Sequence, residues 1–370
     1  MNDELCTLTN EDKNLPSMRK RLNVAVVGAT GAVGTEMLRV LKERRFPLQR
    51  VRLLASAKSN GRRIPFNGAS CRVEELQPQS FEGIDLALFS AGASRSLEFG
   101  PEAVRRGAIV VDNSSAFRMD KRVPLVVPEV NPQALTGHQG LIANPNCSTI
   151  VMLVALAPLH RAARIKRIIV STYQSVSGAG AKAMAQLYEE TRQALRQFHV
   201  SRSTCHVRPQ LETRNSKRGT PLPAQIAFNV IPQIDVFLDN RYTKEEMKLV
   251  HETRKILGDA ALPVSATCVR VPVFRAHSEA VWIETERPLS ADQARALLRH
   301  APGVKLIDEP SSGRYPLPID ADGQDDVLVG RLRKDESVPH GLALWISGDN
   351  LRKGAATNAI QIGELLFNTT

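Results

Sequence analysis

An apolar run from Leu22 to Val27 ends at Gly28 and gives way to Met37, Leu38, Val40 and Leu41, spaced as the inner face of a helix. The change of period across a glycine predicts strand, turn and helix. Short apolar runs recur at Val51 to Leu54, Leu86 to Phe89, Ile109 to Val111 and Leu125 to Val127, separated by helix-like or Gly/Pro-punctuated stretches. Alternation of this kind predicts a parallel, doubly wound sheet of the Rossmann type. From Ile168 the runs lengthen and often alternate, at Ile168 to Tyr173, Ala224 to Ile231, Val264 to Phe274 and Ala280 to Thr285. These predict a larger mixed or antiparallel sheet with one covered face. In the closing stretch, Ala356, Ala359, Ile360, Ile362 and Leu365 stand at helical spacing, and this helix is expected to return to the first unit. The expectation is an α/β chain: a loose extension over 1–20, a dinucleotide-binding unit from 21–146 and 350–370, and an α+β catalytic and dimerisation unit over 147–349.

Composition changes this picture little. With 42% hydrophobic and 24% charged residues, the chain of 370 residues reads as an ordinary globular protein long enough for two cores. The longest apolar stretch, Ile150 to Leu159, is about half of the roughly 20 residues a spanning helix requires, so no membrane segment is expected. Asp3, Glu4, Glu11 and Asp12 make the beginning unlike a secretory or transit peptide. Five widely spaced cysteines, with no Cys-x-x-Cys pair and no His at zinc-ligand spacing, point to free thiols in a reducing cytoplasm and to no metal. A net charge of +11 suits nucleic acid or phosphorylated, acidic ligands equally well. The basic stretch from Thr191 to Pro223 has no interleaved aromatics, and it reads as a solvated surface excursion rather than a nucleic-acid arm.

Gly28-Ala-Thr30-Gly31-Ala32-Val33-Gly34 sits where a phosphate cradle belongs, between strand and helix. Glycines there let the backbone approach a pyrophosphate, whose charge is favoured by the open N–H groups of the helix start. An NAD site usually carries an acidic residue about 20 positions later for the ribose hydroxyl. Here the chain instead reads Ala55-Ser56-Ala57-Lys58-Ser59-Asn60-Gly61-Arg62-Arg63, hydroxyls and cations suited to a 2′-phosphate, which favours NADP; an exposed turn is the plainer alternative.

Asn144-Pro-Asn146-Cys147-Ser-Thr149 precedes the apolar helical run at once, which places Cys147 at a helix N-terminus. Exposed N–H groups there are expected to lower a thiol pKa from about 8.5 and to hold an oxyanion formed on attack at a carbonyl. Cys71, Cys205 and Cys268 read as structural thiols.

Together with the glycine turn, Asp112-Asn-Ser-Ser-Ala-Phe-Arg118, Asn144 to Thr149, Thr172-Tyr-Gln174-Ser-Val-Ser177-Gly178 and Cys268 to His277 carry a resemblance. From about Leu22 to the end the chain resembles the aspartate-semialdehyde dehydrogenases. The resemblance implies a glyceraldehyde-phosphate-dehydrogenase-like architecture, a homodimer formed through the second unit, and reversible NADPH-dependent reduction of 4-phospho-L-aspartate to L-aspartate 4-semialdehyde and phosphate. It implies that Cys147 is the acylated thiol, that His277 is the acid/base titrating near neutrality, and that Gln174 orients the reacting group. Arg270 matches the clamp on the substrate carboxylate, Arg118 and Lys248 the phosphate-binding cations, and Glu245 the ligand of the substrate ammonium, with Asn146 beside them. Ser177, Gly178 and Asn350 match contacts near the nicotinamide end. Read without the resemblance, Glu245 and Lys248 make an ordinary helical ion pair and Ser177 to Gly180 a flexible turn. The nearest rival, an N-acetylglutamyl-phosphate reductase, typically has Gly before its cysteine, where this chain has Asn146. A non-catalytic NADP-binding sensor is the alternative from a different class.

Overall fold

The computed structural model describes residues 6–7, 21–197 and 221–367. Eight strands form the first sheet: β1 (Cys6–Thr7), β2 (Leu22–Val27), β3 (Leu48–Ala55), β4 (Arg63–Phe66), β5 (Ala69–Glu75), β6 (Leu86–Phe89), β7 (Ile109–Asp112) and β8 (Leu141–Ala143). Their order is β4-β5-β3-β2-β6-β7-β8, with β1 antiparallel to β3. From β5 to β8 the sheet is parallel, and the antiparallel β4 closes one edge. Helices α1 (Ala32–Glu43) and α2 (Ala93–Arg105) carry crossovers of this doubly wound sheet.

Helix α3 (Cys147–Ala163) leads into the second sheet, and its residues from Ser148 to Ala157 are buried on every side. A helix apolar all round belongs inside a protein, and α3 packs between the second sheet and the helices α5 and α6 defined below. Its end is therefore rigidly held. The second sheet contains β9 (Ile165–Gln174), β10 (Val264–Arg270), β11 (His277–Thr285), β12 (Val304–Leu306), β13 (Val327–Asp335) and β14 (Gly341–Gly348), in the order β10-β9-β11-β14-β13-β12. It is mixed, as expected, but with six strands it is smaller than the first sheet rather than larger. Around it lie α4 (Ala181–Gln197), α5 (Lys244–Leu257), α6 (Ala291–Arg299) and the short α7 (Pro318–Ala321). A π-helical turn, Arg352–Ala356, and α8 (Thr357–Leu366) then return to the first sheet, where Ala356, Ala359, Ile360 and Ile362 pack with Leu22, Val24, Met37 and Leu41.

Three expected strands are corrected. Leu125 to Val127 makes only an isolated bridge, Leu125 to Ala143, because Pro124 and Pro128 flank it without N–H donors; β8 closes the sheet instead. Ala224 to Ile231 is turn, interrupted by Phe228 at φ 58°, and only Ile231 pairs, with Arg270. The strand from Val264 stops at Arg270, two residues before Pro272. In the N-terminal extension, expected to be loose, Cys6–Thr7 pairs with β3; the remainder of residues 1–20 and positions 198–220 of the basic stretch lie outside the described residues. Cys71 is disulfide-bonded, so the expectation of free thiols fails there, while Cys147 and Cys268 are free. No helix among the described residues is long and apolar enough to cross a membrane.

Candidate active site

Register brings the distant motifs together. Arg270 ends β10 opposite Gln174 at the end of β9, and His277 opens the neighbouring β11, whose next residue pairs with Tyr173. The N-terminus of α3 meets these strand ends in a cleft of about 370 Å³. Its walls include Cys147, Asn146, Gln174, Arg118, Glu245, Lys248 and Arg270 together with Val33, Ser177, Gly178 and Asn350. His277 is fully buried in the wall behind Gly178: a Cβ on Gly178 would lie 3.4 Å from His277 Nε2 and 3.0 Å from Arg270 Nη1.

Asn146 is the N-cap of α3, and its Oδ1 accepts from the N–H groups of Ser148 and Thr149 at 3.0 and 3.3 Å. The cap is tied in turn to α5, since its main-chain N–H donates to Glu252 at 2.6 Å and its Nδ2 to Glu245 at 2.9 Å. Glu245 also accepts from Gln174 Nε2 at 3.2 Å and from Lys248 Nζ at 3.0 Å, and Lys248 reaches Asp235 at 3.0 Å as well. Arg118 is buried, bonded to Glu252 at 3.0 Å and to the carbonyls of Asn113 and Asn144 at 2.9 Å. Arg270 donates through Nη1 to the Ser175 carbonyl at 2.7 Å. Its remaining guanidinium donors have no hydrogen-bond partner among the described residues, and the nearby Glu245 carboxylate supports its charge.

The electrostatics correct two expectations. Enclosure pushes the Cys147 thiol up to about 12, with Glu245 adding to the rise and Arg118, Arg270 and the Ser148 N–H opposing it, so the resting residue is a thiol. The N-terminal N–H groups of α3 oppose that enclosure without overcoming it. His277 was expected near neutrality, but burial and then Arg270 lower it to about 3, against Glu245, so its ring rests neutral. Burial also disfavours an ionised Glu245; Lys248, Asn146 and Gln174 outweigh it and hold this carboxyl below its ordinary range.

The glycine turn has the shape the motif implies. Gly28 lies at φ 89°, where a Cβ would strike the Ser90 carbonyl at 2.5 Å, and a Cβ on Gly34 would lie 2.2 Å from the Gly28 carbonyl. Gly31 caps α1 without a side-chain hydrogen bond and no acidic residue stands in the first turn, so the Ala32 to Gly34 end is open to an anion. Thr30 and Ser59 hydroxyls approach to 3.4 Å beside exposed Ser56 and Lys58. These residues fit a phosphorylated dinucleotide. Of the turn only Val33 reaches the cleft wall itself; Gly28, Thr30, Gly31, Ala32, Gly34, Ser56, Lys58 and Ser59 lie outside it.

Sequence reasoning missed Glu252, Asp235, Ser175 and Gly354. Glu252 stands seven positions after Glu245, on the same face of α5, which is the signal that could have found it. Gly354 is nearer still to the thiol, since a Cβ there would lie 2.9 Å from Cys147 Cβ.

Comparison with known proteins agrees with this arrangement. The family model described as semialdehyde dehydrogenase, NAD binding domain, matches residues 23–138, and the one described as semialdehyde dehydrogenase, dimerisation domain, matches residues 156–353. Aspartate-semialdehyde dehydrogenase of Aquifex aeolicus (strain VF5) is 51% identical over 93% of this chain and 97% of its own length, and that of Bacillus subtilis (strain 168) is 51% identical over 94% and 98%. Among solved structures, aspartate semialdehyde dehydrogenase II of Vibrio cholerae, complexed with ASA, superposes with a TM-score of 0.86 at 47% identity, covering 94% of this chain and 99% of that one. With both domain models matched and relatives 51% identical over 93% and 94% of its length, the chain belongs to the aspartate-semialdehyde dehydrogenase family.

Proposed function

We propose that this chain catalyses the reversible NADPH-dependent reduction of 4-phospho-L-aspartate to L-aspartate 4-semialdehyde and phosphate through a thioester on Cys147, a step toward lysine, threonine and methionine. One observation carries the reading: a thiol at a helix N-terminus shares a cleft with a cradle residue, Val33, and with Arg118, Lys248, Arg270 and Glu245. Residues 21–146 with 350–370 would bind NADP and 147–349 would perform catalysis and pair two copies; the match to a dimerisation domain supports a homodimer. We assign this reaction to the cytoplasm.

In the biosynthetic direction the sulfur attacks the acyl carbon, the carbon–oxygen bond to phosphate breaks, and the thiol proton passes to His277. Two easier steps replace one hard one. Ser148 and Thr149 give their N–H groups to Asn146, so in the first turn of α3 it is the Cys147 N–H that would meet the oxygen that gains charge. Arg270 offers its unbonded guanidinium donors to the substrate carboxylate, and Glu245 receives the substrate ammonium while Gln174 orients the reacting carbonyl. Lys248 and Arg118 attract the phosphate. The glycine cradle with Ser177, Gly178 and Asn350 would hold NADPH, which would supply the hydride. His277 then returns its proton as the aldehyde is released.

The test is the initial rate of phosphate-dependent NADPH formation from L-aspartate semialdehyde, with NADP against NAD and with N-acetylglutamate semialdehyde as the rival substrate. Turnover with the first aldehyde and NADP, abolished by Cys147→Ala, is expected. Full turnover by that variant would remove the thioester from the scheme.

A further inference from the structure

His277 can accept a proton at Nε2 only if its own ring proton sits on Nδ1. The Ala276 main chain acts on the ring, and two groups of Ser175 meet Nδ1, its main-chain N–H at 3.1 Å and its hydroxyl at 3.0 Å. The two groups ask for opposite things. An N–H can only donate, which favours a bare Nδ1 and a proton on Nε2, whereas a hydroxyl oxygen can accept from Nδ1–H.

The surrounding bonds decide which role the hydroxyl plays. Asn350 Oδ1 accepts from the Ala276 N–H at 3.1 Å, and this main-chain donor identifies the amide oxygen as the atom facing Ser175. The same oxygen accepts from Ser175 Oγ at 3.2 Å and from Ser177 Oγ at 3.0 Å. Ser175 Oγ also lies 3.0 Å from Ser177 Oγ, and with its hydrogen on Asn350 or Ser177 it presents lone pairs to the ring. Ser175, Asn350 and His277 are all buried, so no bulk water competes for these positions. Among the described residues the buried Nε2 has no hydrogen-bond partner, as befits an atom that waits for a proton from the cleft side.

We propose that Ser175 is a positioning residue whose hydroxyl, oriented by Asn350, holds His277 in the Nδ1–H tautomer and so keeps Nε2 free to act as base. The proposal rests on the reading that His277 exchanges a proton with Cys147 and its adducts. In that exchange the Nε2 lone pair takes the thiol proton as sulfur bonds to the substrate carbonyl carbon and the carbonyl π pair moves to oxygen. The imidazolium so formed keeps its Nδ1–H on Ser175 Oγ. It then returns the Nε2 proton to the oxygen of the adduct, and the ring is neutral again with the same tautomer. Removing the hydroxyl leaves the main-chain N–H as the one group of Ser175 facing Nδ1, which shifts the ring toward the form with Nε2 already protonated.

The test uses full-length protein labelled with 15N-histidine, with His277→Gln assigning the signals of His277 among the 8 histidines. In the resting wild type the protonated nitrogen is expected to be Nδ1, and in Ser175→Ala it is expected to be Nε2. Turnover by Ser175→Ala should fall in kcat by about 10²-fold or more, the scale of general acid/base assistance, with KM for the semialdehyde near its wild-type value. Ser175→Thr, which keeps a hydroxyl, should recover most of the loss. Arg270 is undisturbed in these variants because it bonds the Ser175 main-chain carbonyl. A wild-type ring protonated on Nε2 overturns the proposal even if no variant folds, and so does a fall in kcat with the ring nitrogens unchanged. Because the resonance measurement needs no turnover, its failure leaves the thioester reading intact, and that reading stands or falls on Cys147→Ala.

Discussion

Gly354→Ala sets two effects of known sign against each other. In the helical setting of Arg352–Ala356, alanine for glycine at a compatible φ normally stabilises by about 0.4–1 kcal/mol, because the unfolded chain loses freedom. Gly354 has no left-handed φ, so that gain is available. Against it, the new methyl would lie 2.9 Å from Cys147 Cβ and 3.3 Å from its Cα, and neither atom is the far end of a flexible side chain. Cys147 cannot retreat freely either, since the first turn of α3 is held by the Asn146 cap and by the buried body of the helix. Overpacking of this sort costs about 1–3 kcal/mol, so the net effect should be destabilising by up to about 2 kcal/mol. Activity should suffer more than stability. A misplacement of about 1 Å at a reacting centre can lower a rate about 10²-fold, and a shift of a few tenths of an ångström should therefore lower kcat/KM by about tenfold. The measurements are the thermal midpoint and the rate of phosphate-dependent NADPH formation, with alkylation of Cys147 by iodoacetamide as a report on the thiol. A variant more stable than the wild type with unchanged kcat/KM would refute the reasoning, because it would mean that α3 yields at its N-terminus.

Other outcomes follow from the same contacts. Arg270→Lys keeps a positive charge but loses the planar fork, and KM for the semialdehyde should rise by roughly tenfold to a hundredfold, the worth of one charge-assisted hydrogen bond; an unchanged KM would remove Arg270 from substrate binding. Glu252→Ala leaves Arg118 buried without its carboxylate and the Asn146 N–H without an acceptor, so stability should fall by about 3–5 kcal/mol, read by denaturant titration. With the Cys147 thiol pushed up to about 12, the thiolate fraction of the free protein grows throughout the alkaline range, so the alkylation rate should keep rising with pH where an ordinary thiol levels off above about 8.5. A plateau near neutrality would show that the resting sulfur is already ionised.

Both sheets were readable from apolar periodicity because their central strands are free of proline, Leu22 to Val27 as a largely buried run and Ile168 to Tyr173 as an alternation of buried and outward positions. The expected strands failed where proline or a left-handed residue interrupts the backbone, at Leu125 to Val127 and near Phe228, since side-chain pattern carries no information about missing N–H donors. Short sheet members such as Leu141–Ala143 are too brief for periodicity to detect. At the site, residues whose chemistry is unusual in a local motif were legible, Cys147 and the glycine turn above all. Ser175 was passed over although it lies between Gln174 and Ser177, because its part depends on a contact with His277, 102 positions away. The expected low thiol pKa failed for a related reason. Position at a helix N-terminus can be read locally, while enclosure by other segments and the proximity of Glu245 arise only when the chain folds.

Charge at the cleft also departs from what a net +11 suggests. Each cation expected to receive phosphate has a protein partner: Arg118 is bonded to Glu252, and Lys248 lies between Glu245 and Asp235. Arg270, expected to receive the substrate carboxylate, differs from these two, since it is bonded to a carbonyl rather than to a carboxylate. Long-range attraction of an anion by these six side chains is therefore small, because three positive and three negative charges nearly cancel beyond a Debye length of about 8 Å. Selectivity has to come from contacts at short range, where Arg270 can form new bonds without breaking an ion pair and Lys248 can do so only by loosening Asp235 or Glu245. The carboxylate end of a substrate is thus the end that docks at least expense, and the phosphate end is accepted where its charge can replace that of Asp235. A substrate lacking the carboxylate should lose binding to a greater extent than added salt can take away, which separates this local account from one based on the net charge of the chain.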